Sequence, residues 1–240
     1  MGNWKSVRRN IIRLLYPQRC PVCDEIVPYD EGLICRKCRP KLLHITEPRC
    51  RCCGKKRMSE TDIICDACKT AAHVFSYGYG VYDYQSVKQS LFRYKYRKRA
   101  EYAAFYASDC YEHLKKEIEQ MHADALIPIP LHKERERKRG YNQAYEFAKE
   151  LSEVTGIPLE AGLVRRVKNT APQKGLDTLQ RQNNLKKAFH INTDVVKLKR
   201  VILVDDIYTT GCTLDAVAKE LKRHGVGEIM FLTLSIGEGI

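Results

Sequence analysis

The 240-residue sequence lacks long apolar runs, and it also lacks a secretory signal. No stretch approaches the roughly 18 consecutive apolar residues that a membrane-spanning helix requires. The first fifteen residues carry Arg8, Arg9 and Arg13 among their apolar positions, and nothing there resembles a small-residue cleavage site. We therefore expect a cytoplasmic protein.

Acidic residues are scarce relative to basic ones. Asp and Glu together number 29 whereas Lys and Arg number 42, so the formal net charge is +13. Binding two Zn²⁺ through eight thiolates would lower this charge to about +9, which is still basic. Such a charge indicates an anionic partner, either nucleic acid or a membrane surface, with a solvated basic face as the alternative.

Cysteine is almost absent beyond residue 72, and nine of the eleven cysteines lie before it. Eight of these form four CxxC pairs whose first members are fifteen residues apart: Cys20/Cys23, Cys35/Cys38, Cys50/Cys53 and Cys65/Cys68. Soft thiolates in this pattern predict two closed, structural Zn²⁺ sites, and a redox role for one pair is the alternative. We expect neighbouring pairs to share a metal because shorter loops cost less entropy to close, with a cross-braced pairing as the alternative. Cys52, inside the third pair, is assigned no role.

Residues 1–71 are expected to form this zinc module. Residues 18–70 contain few large apolar side chains, so metal binding of about 10–16 kcal/mol per site would supply most of the folding energy. Ahead of the first pair, a possible basic amphipathic helix places these apolar residues on one side: Trp4, Val7, Ile11, Leu14 and Leu15. We expect this helix to pack against the protein, with peripheral membrane contact as the alternative.

Residues 72–240 show an alternation of strand and helix patterns, which predicts an α/β domain with a parallel or mixed sheet. Strands are expected at residues 75–84, 125–131, 162–167, 201–204 and 226–236. Helices are expected at residues 86–96, 100–121, 141–156 and 178–188, and a further helix should follow residue 211 and stop at Gly225.

Two adjacent carboxylates, Asp205 and Asp206, follow the apolar run of residues 201–204. That run is short and β-branched and is typical of a buried parallel strand that ends at the two carboxylates. In an open α/β sheet, ligands bind outside the carboxyl ends of the strands. The carboxylates would repel a phosphate, so we expect them to face hydroxyl groups or a divalent cation.

A Thr-Thr-Gly-Cys-Thr turn, residues 209–213, follows the carboxylates and precedes a helix. A helix N-terminus offers unpaired N–H groups and the positive end of its dipole, so it attracts phosphate. Gly211 lets the backbone approach an anion closely, and the threonine hydroxyls add donors. Ribose 5-phosphate, with a phosphate at one end and a diol beside it, satisfies both the turn and the carboxylates.

This order of residues resembles the phosphoribosyl-diphosphate (PRPP) fingerprint of type I phosphoribosyltransferases. The resemblance implies a parallel sheet flanked by helices, with PRPP and Mg²⁺ as ligands and with Asp205 and Asp206 on the ribose 2- and 3-hydroxyls. It also implies that the 5-phosphate is held by Thr209, Thr210, Gly211, Cys212 and Thr213. An ordinary strand-to-helix turn with solvated carboxylates is the alternative.

PRPP chemistry needs further groups, because an enzyme must hold Mg²⁺-diphosphate while it shields a cationic transition state. A basic segment lies between a strand end and a helix start, where a diphosphate loop sits in this fold: Lys133, Arg135, Arg137, Lys138 and Arg139. Residues 170–189, which include Arg181, have the polar and basic composition of a closing loop. Arg139 and Arg181 are the basic catalytic candidates, and a charged surface loop is the alternative for both segments.

The complete order of motifs resembles the ComF family of late-competence proteins. The motifs are the CxxC pairs, the segment LFRYKYR, the Pro-Ile-Pro-Leu run with Arg-Gly-Tyr-Asn-Gln-Ala at residues 139–144, Gln173 with Arg181, Asn184 and Ala188-Phe189, and the PRPP fingerprint. Cys52 departs from the expected pattern. The resemblance implies a role in natural transformation, in which imported single-stranded DNA is taken into the cytoplasm alongside a helicase-like competence protein and recombination mediators.

Residues 92–106 fit a nucleic-acid role independently. Basic residues are interleaved with tyrosines there, namely Lys95, Arg97, Lys98 and Arg99 among Tyr94, Tyr96 and Tyr102. This mixture suits the phosphates and stacked bases of single strands. A helix that buries its tyrosines and solvates its basic residues is the alternative.

The leading interpretation is a PRPP-binding-fold protein that handles single-stranded DNA in competence. One alternative is an active phosphoribosyltransferase that joins an unidentified base to PRPP, and another is an adaptor whose zinc module docks a partner. The resemblance to phosphoribosyltransferases implies that acceptor specificity comes from a hood, here residues 72–85, 157–170 and the carboxyl end, where no pattern selects a base. The sequence therefore leaves enzyme status open.

Overall fold

A parallel sheet forms the centre of the larger part of the chain. The computed structural model describes residues 17–59, 63–167, 185, 188–192 and 198–237. Within these residues, the sheet consists of the strands β1 (Tyr77–Asp83), β2 (Ala125–Pro128), β5 (Arg200–Tyr208) and β6 (Glu228–Ile236). All neighbours pair in parallel in the order β1-β6-β5-β2. The predicted α/β class is confirmed.

Two short strands pair separately from this sheet. β3 (Val164–Arg166) and β4 (Phe189–Ile191) are antiparallel, with Arg165 opposite His190. The described residues therefore form two separate sheets, a four-stranded parallel sheet and a two-stranded antiparallel one.

β5 is longer than the sequence predicted. Residues 201–204 are fully buried, as expected for a central parallel strand. The strand does not end at Asp205 and Asp206 but continues to Tyr208, because β6 keeps pairing with it up to the contact of Tyr208 with Ile236. Both carboxylates therefore lie inside the strand, close to its carboxyl end.

Helices flank the sheet, and the α-helices of the described residues are α1 (Asp66–Thr70), α2 (Tyr84–Tyr96), α3 (Tyr102–Met121), α4 (Lys133–Arg139), α5 (Gln143–Thr155) and α6 (Cys212–Arg223). Asn142 begins α5 by accepting a hydrogen bond from the Ala144 N–H, and Gly156 ends it at a φ of 74°. α2, α3, α5 and α6 confirm predicted helices. The helix expected at residues 178–188, except for Leu185 and Ala188, and the helix expected within residues 1–15 lie outside the described residues.

The basic segment of residues 133–139, which we expected to be a diphosphate loop, forms the short helix α4. Its acidic residues lie in the first turn and its Arg-Lys-Arg run lies in the last turn, which complements the helix dipole. Gly140, at a φ of 92°, ends the helix and donates its N–H to the carbonyl of Glu136. Favourable charge order and a glycine C-cap thus form a helix from a sequence without an apolar face.

No helix in the described part of the chain is long and apolar enough to cross a bilayer.

The zinc module packs on both faces of the sheet. We call residues 20–38 the first ribbon and residues 50–68 the second ribbon. The first ribbon shares a hydrophobic core with Ile202 and Val204, and the second ribbon shares another core with Val201 and Leu203. Successive side chains of a strand point to opposite faces. The two ribbons are therefore built into opposite layers of the larger domain.

Candidate functional site

Asp205 and Asp206 lie near the carboxyl end of β5, and a lysine from α2 joins them. The Asp206 N–H donates to Asp205 Oδ1 at 2.8 Å. Lys95 Nζ lies 2.9 Å from Asp206 Oδ2, with side chains only 17% and 15% exposed. Burial, together with the charge of Asp206, raises the pKa of Asp205 to about 7. The site therefore contains one readily protonated carboxyl group and one carboxylate held by a cation.

The turn that follows β5 has the geometry of an anion-binding loop. Gly211 adopts a φ of 76° and precedes the first residue of α6 without a side-chain cap. A Cβ added at Gly211 would lie 2.9 Å from His73 Cε1 and 3.1 Å from Phe75 Cε1, so the position requires glycine for space as well as for conformation.

A cavity joins the turn to the end of β5. It is lined by Asp205, Ile207, Tyr208, Thr209, Gly211, Cys212, Thr213 and Leu214. The N-terminus of the twelve-residue helix α6 opens on this cavity, where the positive end of the helix dipole favours an anion. The structure thus brings the residues of the predicted phosphate turn together with Asp205, as a ligand with a phosphate and a neighbouring diol requires.

One of the basic candidates of α4, Arg139, lies over the exposed ring of Tyr96. The Arg139 guanidinium lies 5.1 Å from the centre of that ring and donates to Gln143 Oε1 at 2.8 Å. Burial and the charge of Arg139 lower the pKa of Arg135. Lys133 is exposed on the same helix, and Arg181 lies outside the described residues.

Arg166 on β3 is a site residue that the sequence prediction missed. Burial lowers its pKa, the charge of Arg135 lowers it further, and the charge of Asp205 acts in the opposite direction. Its guanidinium lies 5.4 Å from the centre of the Phe189 ring. The only sequence signal was an arginine within a short strand, which did not reveal that β3 brings a cation towards Asp205.

The structure confirms two clusters of four cysteines among the described residues, and each joins neighbouring CxxC pairs: Cys20, Cys23, Cys35 and Cys38, and Cys50, Cys53, Cys65 and Cys68. Sγ atoms are separated by 3.6 Å for Cys35 and Cys20, 3.8 Å for Cys23 and Cys35, and 3.7 Å for Cys53 and Cys65. Four thiolates at about 2.3 Å from a tetrahedral Zn²⁺ would be about 3.8 Å apart. The donor atoms therefore fit two structural Zn²⁺ ions, and each set is complete without an open position.

The four basic residues expected to contact nucleic acid do not form one surface. Lys95 faces Asp206, and Arg99 Nε and Nη2 contact the carboxylate of Asp24 at 2.7 and 2.9 Å. Arg97 and Lys98 are exposed. The predicted patch is thus divided between the carboxylate site of β5, the first ribbon and solvent.

Two of the three tyrosines expected to stack on bases are unavailable for stacking. Tyr94 and Tyr102 are fully buried, whereas Tyr96 is 56% exposed. Phe92, which the sequence prediction did not name, is 49% exposed, and its ring centre lies 5.2 Å from that of Tyr96. The accessible aromatic pair is therefore Phe92 and Tyr96, four residues apart on α2.

Two family models match this chain, one over the zinc module and one over the larger domain. The family model "Double zinc ribbon domain" matches residues 11–69, and the model "Phosphoribosyl transferase domain" matches residues 138–235. Competence protein F of Haemophilus influenzae is 44% identical over 108 residues, which are 44% of this chain and 47% of that protein. DNA utilization protein YhgH of Salmonella typhi is 35% identical over 106 residues, which are 44% of this chain and 46% of that protein.

The chain spans about half the length of those two relatives. A longer match identifies the family. Competence protein ComFC of Bacillus subtilis is 32% identical over 199 residues, which cover 80% of this chain and 79% of that protein. With its double zinc ribbon, its parallel α/β sheet and its phosphoribosyl transferase motif, the chain belongs to the ComFC family of competence proteins.

Proposed function

We propose that this protein acts in natural transformation, where it handles imported single-stranded DNA in the cytoplasm and binds PRPP with Mg²⁺. The names of its relatives, two competence proteins and a DNA utilization protein, support the role in DNA handling. The observation that carries the ligand assignment is the cavity that joins Asp205 to the turn of residues 209–213 at the start of α6.

The groups around the cavity match the successive parts of PRPP, from the 5-phosphate to the ribose hydroxyls. The 5-phosphate accepts hydrogen bonds from N–H groups at the start of α6, and the ribose hydroxyls donate to Asp205 and Asp206. Lys95, next to Asp206, reduces the repulsion between the carboxylates and an anionic ligand. Arg166, close to Asp205 and Arg135, adds positive charge on the side of β3 and α4.

Single-stranded DNA should bind beside this site. We define the aromatic-basic surface as Phe92, Tyr96, Arg97, Lys98 and Arg139. Its two aromatic side chains are about half exposed, and Arg139 lies over the ring of Tyr96. Exposed rings stack on bases of any sequence, while the surrounding cations contact phosphates. Tyr94 and Tyr102, which the sequence predicts to stack on bases, are buried and are not part of this surface.

Calorimetry of the zinc-loaded protein with PRPP and Mg²⁺ tests the ligand assignment. The wild-type protein should bind PRPP, and Asp206→Asn should abolish binding while two Zn²⁺ per chain are retained. Lys95→Met should weaken binding about tenfold, because it removes the cation that reduces the repulsion between the carboxylates and the anionic ligand. Absence of binding to the wild-type protein would contradict the proposal, whereas loss of zinc in a variant would indicate misfolding.

Phosphoribosyl transfer to a base is the second candidate function. The carboxylate pair and the glycine turn are both present, so the site retains the groups needed to hold the ribose and its phosphate. Release of diphosphate from PRPP in the presence of candidate bases would establish transfer. Binding without diphosphate release for any base would favour a ligand-sensing role in DNA handling.

Docking to other proteins of transformation is a further proposal, with a helicase-like competence protein and recombination mediators as the partners. The zinc module carries exposed apolar side chains, Ile26, Leu43, Met58, Ile63 and Ile64, which suit a protein contact. Replacing Ile26 and Leu43 by serine should weaken capture of such a partner while PRPP binding stays unchanged. Equal capture by both proteins would remove this role, and vesicle flotation tests the alternative of peripheral membrane contact.

A further inference from the structure

The second ribbon is linked to the helix that carries the phosphate turn. His73 follows the last zinc ligand, Cys68, by five residues. Its Nδ1 lies 2.8 Å from Asp215 Oδ2, and the Val74 N–H donates to Asp215 Oδ1 at 2.7 Å. Asp215 lies in the first turn of α6. The segment leaving the ribbon thus holds both oxygens of a carboxylate at the anion-binding end of the helix.

The same segment packs directly behind the turn. His73 and Phe75 stack with ring centres 4.4 Å apart, and Phe75 meets Tyr208 edge-on at 6.3 Å. A Cβ at Gly211 would lie 2.9–3.1 Å from atoms of all three side chains. Displacement of His73 would therefore free the turn to change its shape.

The second ribbon is itself fixed to the sheet. The Gly78 N–H of β1 donates to the Cys52 carbonyl at 3.0 Å. A Cβ at Gly54 would lie only 2.6 Å from the Gly78 carbonyl oxygen, so the two backbones are in close contact. These contacts leave the ribbon little freedom once a metal holds its four cysteines.

The position of the Asp215 carboxylate affects the electrostatic environment of the phosphate turn. A carboxylate free to turn towards the cavity would repel a phosphate. Asp215 does not line the cavity, and its two hydrogen bonds keep it against residues 73 and 74. The link therefore shapes the turn and also keeps a negative charge away from the anion.

We propose that His73 and Asp215 are positioning residues that couple Zn²⁺ in the second ribbon to ligand affinity at the phosphate turn. The proposal rests on PRPP binding as the proposed function of the cavity. Coupling free energies are reciprocal. Zinc in the second ribbon strengthens PRPP binding, and bound PRPP slows the release of that zinc.

A histidine between the two ribbons provides a matched control. His44, between the two ribbons, lies with Nε2 2.7 Å from Asp109 Oδ2 on α3, a contact of the same chemistry and nearly the same length. It joins the zinc module to α3 rather than to α6. Removing His44 should cost stability, as removing His73 does, but it leaves the turn untouched.

The experiment compares His73→Ala, His73→Asn and His44→Ala in the zinc-loaded, full-length protein. His73→Ala should weaken PRPP-Mg²⁺ binding about tenfold, the equivalent of one hydrogen bond to a charged group, with two Zn²⁺ per chain retained. It should also speed hydrogen exchange at residues 207–213 without ligand. His73→Asn keeps an N–H donor near the Nδ1 position and should restore most of the affinity. His44→Ala should leave both measurements unchanged.

Zinc release to a chelator completes the test. PRPP should slow release of one of the two Zn²⁺ ions several-fold in the wild-type protein and should have no such effect in His73→Ala. Unchanged affinity and exchange in His73→Ala, or equal effects of His44→Ala, would overturn the coupling. If the wild-type protein does not bind PRPP, the proposed function fails, but the exchange comparison without ligand still decides whether His73 positions the turn.

Discussion

Asp205 shows how a single residue sets the conditions for ligand binding. Burial and the neighbouring charge of Asp206 disfavour its ionised form and raise its pKa to about 7. A carboxyl group with this pKa gains or loses its proton in the physiological range. In the proposed binding of PRPP, the ribose hydroxyls need an acceptor at this position, so the ionised form should be the one that binds.

We expect PRPP affinity to rise with pH through 7. Below this pKa, binding requires Asp205 to lose a proton, so affinity should increase by up to about tenfold per pH unit and level off near pH 8. Calorimetry at pH 6, 7 and 8 measures the effect. The phosphate groups of PRPP also titrate in this range. Asp205→Asn lacks the carboxyl group, so its pH dependence shows the contribution of PRPP alone. The same pH dependence in both proteins would contradict the assignment.

The raised pKa of Asp205 also makes the stability of the fold depend on pH, but in the direction opposite to that of PRPP affinity. A carboxyl group whose pKa is raised in the folded state binds its proton more tightly there than in the unfolded chain. The bound proton therefore contributes to the free energy of unfolding. This contribution is complete at pH values below the ordinary carboxyl pKa and is lost as the pH rises towards 7. Ligand binding and stability thus respond to the Asp205 proton with opposite signs.

Lys95 and Arg97 mark the limit of what the sequence predicts for single residues. They are two residues apart in one basic stretch, yet Lys95 faces Asp206 whereas Arg97 is exposed. The motif of residues 205–213 was predictable because its neighbours in sequence are also neighbours in space. Lys95, Arg166 and His73 were not assigned to the site because they reach it only through the packing of α2, β3 and the second ribbon.

Elements were predictable where one local pattern determines them. The buried run of residues 201–204 predicted the centre of β5, but the extension to Tyr208 depends on pairing with β6. α4 was missed because its seven residues have no apolar face, and its helix rests on charge order and on Gly140. Regular cysteine spacing predicted the two ribbons, but it did not show that they occupy opposite faces of the sheet.

The first ribbon is attached to α3 by a bonded cluster. Arg99, just before α3, contacts both carboxylate oxygens of Asp24, and the Tyr102 hydroxyl donates to Asp24 Oδ1 at 2.6 Å. The hydrogen bond with Arg99 lowers the pKa of Asp24. This cluster ties the loop of the first CxxC pair to the helical layer of the domain.

Arg99→Ala should lower the free energy of unfolding by about 1–2 kcal/mol, the range for a partly exposed, bidentate hydrogen-bonded ion pair. Urea unfolding of the zinc-loaded protein at pH 7 measures this loss. Arg97→Ala, two residues away and exposed, should change stability by less than about 0.5 kcal/mol. Equal effects of the two variants would show that the cluster does not stabilise the attachment.

Across the whole molecule, the ribbons, the sheet and the ligand site form one connected structure. Each ribbon contributes buried cysteines to a core on one face of the sheet. Metal binding therefore stabilises the layers that carry the cavity as well as the ribbons themselves. The two zinc clusters therefore support the architecture around the proposed PRPP site, although no cysteine of the two clusters lines the cavity.

Charge and aromatic exposure make separate contributions to the proposed binding of single-stranded DNA. The chain has a formal net charge of +13, and about six phosphate contacts would give a slope near −4 for log affinity against log salt. Titration of a labelled oligonucleotide at several salt concentrations measures this slope. A flat response would contradict an electrostatic contribution.

The two parts of the aromatic-basic surface should then separate in variants. Replacing both Arg97 and Lys98 by glutamine should reduce the size of the slope by about 1.4, because two phosphate contacts are lost. Replacing both Phe92 and Tyr96 by alanine should lower affinity about tenfold or more at every salt concentration and leave the slope unchanged, because stacking releases no counterions. Wild-type affinity in the aromatic double variant would place the DNA elsewhere on the basic surface. A loss that appears only at low salt would show that these rings support the neighbouring cations rather than stack on bases.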